Sequence, residues 1–204
     1  PEKVIEEAAA LVGRMPQRQE ARRPKTDRQP CFPNGSFTEI SVPTRIPKAV
    51  VVTAYPTTHI WDIHETRRLS VLSDVFSDRM RISIREDLGA SYSQGAYNAA
   101  SRSYENYGLL AGYAVIDPDQ TGTVEEAMAD IAADLYRNGI TEDELTRALE
   151  PALTGIREQI KTNDYWLNTV LKGAGRHPAQ LEWSQHIEED SRKITAQEKI
   201  GRAH

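Results

Sequence analysis

The chain has 204 residues, of which 39 % are hydrophobic and 27 % charged, and a net charge of −5. That length and composition support one sizeable folded domain without disulfide or metal, exclude wholesale disorder, and argue against a uniformly basic nucleic-acid binder. The single Cys31 excludes an internal disulfide framework and a multi-cysteine zinc site, and no apolar run approaches the ~20 residues of a membrane-spanning helix.

Pro1 leads straight into a helical pattern over residues 1–15, in which Val4, Ala8, Leu11 and Val12 recur at helical spacing and Glu2, Glu6 and Glu7 suit the positive helix end. The chain is therefore expected to be a piece of something longer, cut inside helical patterns at both ends. Residues 16–36 open a stretch rich in proline and arginine: seven of the eleven prolines lie between Pro16 and Pro56. This composition predicts an extended segment. No aromatic residues interleave with Arg14, Arg18, Arg22, Arg23, Lys25 and Arg28, so a single-strand nucleic-acid platform is not predicted.

An α+β body is expected over residues 37–204. Phe37–Val42 and Ala49–Tyr55 read as strands, and the β-branched run Val50-Val51-Val52-Thr53 predicts a strand covered on both faces or central to a sheet. A long helix is predicted from Trp61 to Leu88, with Leu69, Leu72, Phe76 and Met80 on one face and Gly89 as its stop. Ser91–Ser101 and Tyr107–Ile116 read as an antiparallel pair. A helix follows over Val124–Asn138. Thr141-Glu142-Asp143-Glu144 is a capping box that opens a helix to about Lys161, with a kink expected at Pro151. Asn163–Gly173 and Pro178–Ile187 are shorter helical patterns, and Thr195-Ala196-Gln197-Glu198 is a second capping box. This order lacks βαβ alternation and points to an α+β fold, a mainly antiparallel sheet with helices packed on one face.

The histidines do not form a metal motif. His59 and His64 are five residues apart, about 1.4 helical turns, which misses the i, i+4 spacing of a helical zinc pair. Neither His-Glu-x-x-His nor the inverted His-x-x-Glu-His occurs, and phosphate-binding and nucleophile-elbow glycine motifs are also missing. Cys31, between two prolines, has neither a rigid frame nor a base. The segment Arg85-Glu86-Asp87-Leu88-Gly89-Ala90-Ser91-Tyr92-Ser93 is different, because it joins the long helix to a strand. Arg85 there either complements the helix dipole or, with Tyr92, presents a guanidinium fork and a phenol to a carbonyl or oxyanion.

The Arg-Glu-x-x-Gly-x-x-Tyr-Ser pattern, behind a helix holding Leu72, Phe76, Asp78 and Arg79, resembles the pitrilysin/insulinase family of zinc metallopeptidases. Residues 1–16, ending in Arg14-Met15-Pro16, resemble the helix that opens such a module, and Thr141–Leu145 its capping segment. Asn163-Asp164-Tyr165-Trp166-Leu167 resembles PqqL-like bacterial members. The resemblance implies an α+β metallohydrolase fold of the LuxS/mitochondrial-processing-peptidase type. It makes Arg85 and Tyr92 accessory catalytic residues, acting in trans to a zinc-bearing half, and makes Arg85, Tyr92, Tyr165 and Trp166 substrate contacts.

The missing inverted zinc motif is the departure from the family. It implies the non-zinc, "inactive" half, a single module over residues 1–204 that binds no zinc, is inactive alone, and closes over a zinc-bearing partner half. The implied partners are that half, in the same polypeptide or in a homologous subunit, a peptide substrate, and a second copy of the chain in a homodimer. The implied location is the bacterial periplasm or cell envelope. The alternative reading is a structural or peptide-binding module with no part in catalysis.

Overall fold

In the computed structural model, which describes residues 2–16, 30–32, 38–43 and 45–197, the β-branched run forms a strand, β1 (Ala49–Thr57). The chain divides into two units, Pro1–Cys31 and Phe32–His204. In the first, the predicted helix is present as α1 (Glu2–Gly13).

Two further strands, β2 (Ser91–Ala100) and β3 (Gly108–Ile116), complete an antiparallel sheet in the order β1-β3-β2. β3 is the centre of the sheet. Its register with β1 runs from Ala49↔Ile116 to Thr57↔Gly108, and its register with β2 ends at Ala100↔Gly108. The β2–β3 turn uses Asn106 at φ 51°, a left-handed position that asparagine tolerates, and closes with the Ser101 N–H donating to the Tyr107 carbonyl at 2.9 Å.

Strand alternation sends Val51, Ala114 and Ile116 to one face, where they pack with Phe76, Met80, Ile84, Val124 and Met128. Those partners come from α2 (Ile63–Met80), from the segment that continues it, and from α3 (Thr121–Asn138). The fold is thus α+β, with helices on the Val51 face of the sheet. Val50 and Val52 point the other way and are 60 % and 57 % exposed. The expectation that β1 is central or doubly covered is corrected: β1 is an edge strand of the described sheet. Its valines record a preference for extended backbone, not burial on both faces.

The predicted helix to Leu88 is α-helical only to Met80. Arg81–Asp87 continue it as a π-helix, in which the Leu88 N–H reaches back five residues to the Ser83 carbonyl at 3.1 Å. Gly89, at φ 61°, then turns the chain into β2 as predicted.

After α3, Gly139 (φ 75°) ends the helix and the capping box opens α4 (Glu142–Gln159). Both halves of the box are made. The Glu144 N–H donates to Thr141 Oγ1 at 3.2 Å, and the Thr141 N–H to Glu144 Oε2 at 2.8 Å. The helix continues through Pro151. A second core joins Val71 and Val75 of α2 to Ile140, Leu145 and Ile194.

The remainder is a π-helical segment Tyr165–Leu171, α5 (Lys172–Ala174), α6 (Ala179–Gln185) and α7 (Ile187–Arg192). The helix predicted to follow Thr195 falls largely outside the described residues. The strand predicted over Phe37–Val42 is not formed at residues 38–42, where Ile40 and Val42 are exposed; Phe37 lies outside the described residues. An alternating pattern makes a strand only where a neighbouring ladder accepts its hydrogen bonds, and none does so there.

Candidate functional site at a helix–strand junction

The residues that carry the family resemblance converge where the π-helix ends. Two arginines occupy that segment, and their surroundings differ. Arg81 is held by Asp78, Nη2 to Oδ1 at 2.7 Å, and pairs with Glu86. Arg81 and Arg147 together hold the Asp78 carboxyl below its ordinary range. Arg85 is exposed and makes no hydrogen bond or ion pair among the described residues. Its five-donor fork is therefore the guanidinium at this junction that remains available to an outside carbonyl or carboxylate.

Tyr92 stands seven residues on, at an irregularity in the sheet. Ser91 pairs with Ile116 and Ser93 with Val115, so Tyr92 is an extra residue with no β3 partner. The Ser91 side chain holds this bulge open. Its hydroxyl donates to the Val115 carbonyl at 2.7 Å and accepts from the Ser93 N–H at 3.2 Å. Ser91 is 2 % exposed, so the bridge is shielded from competing water. A bulge re-aims the strand at the position that the sequence pattern singles out.

Tyr165 and Trp166 lie elsewhere. Tyr165 is buried and packs edge-on against Trp166 at 5.3 Å, and Trp166 Nε1 donates to the Ile160 carbonyl at 2.7 Å. Tyr165 shares a cavity with Ile63 and Arg67, at the start of α2. Arg85 follows the other end of that 18-residue helix, roughly 27 Å long at 1.5 Å per residue. The fold brings Arg85 and Tyr92 to one junction and does not bring Tyr165 and Trp166 to it.

Among the described residues there is no group of three His, Cys, Asp or Glu side chains placed to hold a metal. The histidines also have other neighbours: His59 Nδ1 accepts from the Asn106 N–H at 3.1 Å, His177 stacks on Trp61 at 3.4 Å between ring centres, and His186 faces Glu189 at 3.6 Å.

Two arginines of α2, the half-buried Arg79 and the buried Arg67, have a tying role that sequence reasoning did not assign. Arg79 joins α2 to α4 through Glu144, to Asp134 at 2.6 Å and to the Gly139 carbonyl at 3.0 Å. Arg67 pairs with Asp190 and donates to the Trp183 carbonyl at 2.8 Å. Each sits in the apolar register of α2, and a charge in that register was the only signal that could have found it.

The arrangement is that of a helix-backed antiparallel domain offering a guanidinium, and solved structures share its fold. The inactive peptidase domain of a putative zinc protease from Bordetella parapertussis matches with a TM-score of 0.63 and 11 % identity, over 80 % of this chain and 88 % of that one. The periplasmic protease PqqL from Escherichia coli matches with a TM-score of 0.61 and 15 % identity, over 77 % of this chain and 17 % of that one. The "Uncharacterized zinc protease YmxG" of Bacillus subtilis (strain 168) is 35 % identical over 81 residues, 40 % of this chain and 19 % of that protein. The chain thus spans about a fifth of that curated relative's length.

Residues 1–151 match the family model described as the peptidase M16 inactive domain. The chain belongs to that family, the inactive domains of zinc peptidases, and no described helix is long and apolar enough to cross a membrane.

Proposed function

We propose that residues 1–204 form one non-catalytic module of a zinc metalloendopeptidase, which closes over a zinc-bearing half and helps to bind peptide substrate. In this reading Arg85 holds a peptide carbonyl and Tyr92 donates a hydrogen bond to the oxyanion of the tetrahedral intermediate. The partner half, in the same polypeptide or in a homologous subunit, supplies zinc and with it the activation of water. A second copy of the chain is the other proposed partner, and the bacterial periplasm or cell envelope the proposed location, on the fold shared with PqqL.

The observation that carries the reading is the junction itself. Gly89 and the Ser91-bridged bulge set Arg85 and Tyr92 at the two sides of one turn, and Arg85 has no hydrogen-bond or ion-pair partner among the described residues while Arg81 beside it is paired. Preorganised donors of this kind act by meeting charge that develops only in the transition state, and removing one typically costs about 3–4 kcal/mol, or 10²–10³ in turnover.

The test is Tyr92→Phe in the full-length protein carrying both halves. Peptidase kcat is expected to fall by about 10²–10³ with Tm unchanged. Equal turnover of variant and parent sinks the oxyanion role and favours a module that only captures peptide or closes the assembly.

A further inference from the structure

Arg81 and Glu86 form an ion pair within the π-helical segment Arg81–Asp87. Their spacing is five residues, which in an α-helix is about 1.4 turns, so the two side chains would point to different sides. A π-helix closes its hydrogen bonds between residues i and i+5 and brings those two positions one above the other. The pair is therefore a contact that the π form makes and an α-helix would lose.

The α-helical alternative also reverses the sign of the contact. With 3.6 residues per turn, the neighbour of Arg81 on the next turn would be Arg85, and like charges at that spacing repel. In the π form that neighbour is the Glu86 carboxylate, and Arg85 is exposed with no hydrogen bond or ion pair among the described residues.

An exposed ion pair contributes little when both long side chains must first be ordered. Arg81 is ordered beforehand. Asp78 Oδ1 accepts from Arg81 Nε at 3.1 Å and from Nη2 at 2.7 Å, and Asp78 Oδ2 accepts from Arg147 Nη2 of α4 at 3.1 Å. Arg81 Nη1 is the nitrogen that donates to Glu86. A fork set from α4 through Asp78 thus meets Glu86 with its orientation already fixed. Ile84, in the same segment, is fully buried, so a change from π to α would turn Arg85 about an anchored segment.

We propose that Arg81 and Glu86 are positioning residues for Arg85. Their pair keeps Arg81–Asp87 π-helical, and so keeps the Arg85 guanidinium out of the row that Arg81 occupies and available to a peptide carbonyl. This role rests on the reading of Arg85 given above, as the group that holds that carbonyl.

Two measurements on the full-length protein carrying both halves test it. The first is a crystal structure of the Glu86→Ala variant. There the Leu88 N–H is expected to donate to the Ile84 carbonyl, as in an α-helix, instead of to the Ser83 carbonyl that accepts it at 3.1 Å in the parent. A π-helix retained in that variant overturns the proposal whatever the kinetics. The second is a double-mutant cycle on peptidase kcat/KM. Glu86→Ala is expected to lower it about tenfold with Tm unchanged, because a small misplacement of a binding group already costs rate. In an Arg85→Gln background the same change is expected to add nothing, since its effect passes through Arg85. Additive losses overturn the positioning role, and so does a fully active Glu86→Ala variant beside an impaired Arg85→Gln. Arg85→Gln with the kcat/KM of the parent overturns instead the reading of Arg85 itself, so the two fail separately.

Discussion

Arg79 grips both carboxylate oxygens of Glu144, Nε to Oε1 at 2.7 Å and Nη2 to Oε2 at 3.1 Å. The same carboxylate accepts from the Thr141 N–H, so one side chain caps α4 and ties its first turn to α2. The Arg79 guanidinium is the main reason that the Glu144 carboxyl is held down at about 2 instead of its ordinary 4.5, with the Thr141 hydrogen bonds adding to it against partial burial. A carboxyl whose folded value lies below its unfolded one stabilises the fold fully above the unfolded value, and that stability is lost as pH falls through the folded one.

Glu144→Gln is therefore expected to lower stability at pH 7 by about 2 kcal/mol, the figure allowing for solvent screening. It should also flatten the loss of stability between about pH 5 and pH 2. Urea unfolding of both proteins at pH 7 and pH 3 measures this. A variant as pH-sensitive as the parent over that window would refute the assignment.

Gly108 and Gly112 both lie in β3, and replacing each with alanine is expected to have unequal effects. A Cβ on Gly108 would sit 2.1 Å from the Thr58 carbonyl oxygen, a backbone atom that cannot turn aside. A Cβ on Gly112 would meet the Phe76 ring at 3.0 Å and the Met128 side chain at 3.2 Å, and both can shift. Gly112→Ala is expected to cost about 1 kcal/mol and Gly108→Ala about 3 kcal/mol or more. Paired thermal melts decide the order, and the reverse order would show that the β3 end gives more easily than its centre.

The Arg67–Asp190 pair predicts a non-additive result. Asp190→Ala leaves a buried guanidinium uncompensated and is expected to cost about 3 kcal/mol. The double variant Arg67→Met, Asp190→Ala removes both charges and should cost less than the single one. A double-mutant cycle by urea denaturation reads the coupling, and additive losses would mean that the pair is not coupled.

Ser91→Ala should unlock the bulge at Tyr92. The hydroxyl bridges the Val115 carbonyl and the Ser93 N–H, and its loss is expected to cost about 1–2 kcal/mol. Faster amide exchange should appear at Ser93 and stay local to the start of β2. Unchanged protection there would show that the bulge holds without the serine.

Much of the architecture was legible in the sequence because its signals are local. Gly89 and Gly139 end helices because a left-handed residue is needed there, and Thr141 with Glu144 announces a helix start through bonds three residues apart. The resemblance around Arg85, Gly89 and Tyr92 identified the family because those residues are close in sequence and share one turn. Phe37–Val42 misled for the opposite reason: alternation says how a strand would face, not whether a neighbour is there to pair with it.

The sequence by itself determined the stops at Gly89 and Gly139, the helix start at Thr141, the family, and the lack of a zinc motif, since each is written within a few adjacent residues. Only the tertiary structure decided that β1 is an edge strand of the described sheet and that Arg81 is paired while Arg85 has no partner among the described residues. It alone put Arg67 behind a cavity walled by Trp61 and Trp183. Those facts depend on residues up to 123 positions apart meeting in space, as Arg67 and Asp190 do. Pairing of charges and closure of cavities follow from packing between elements, which no local pattern encodes.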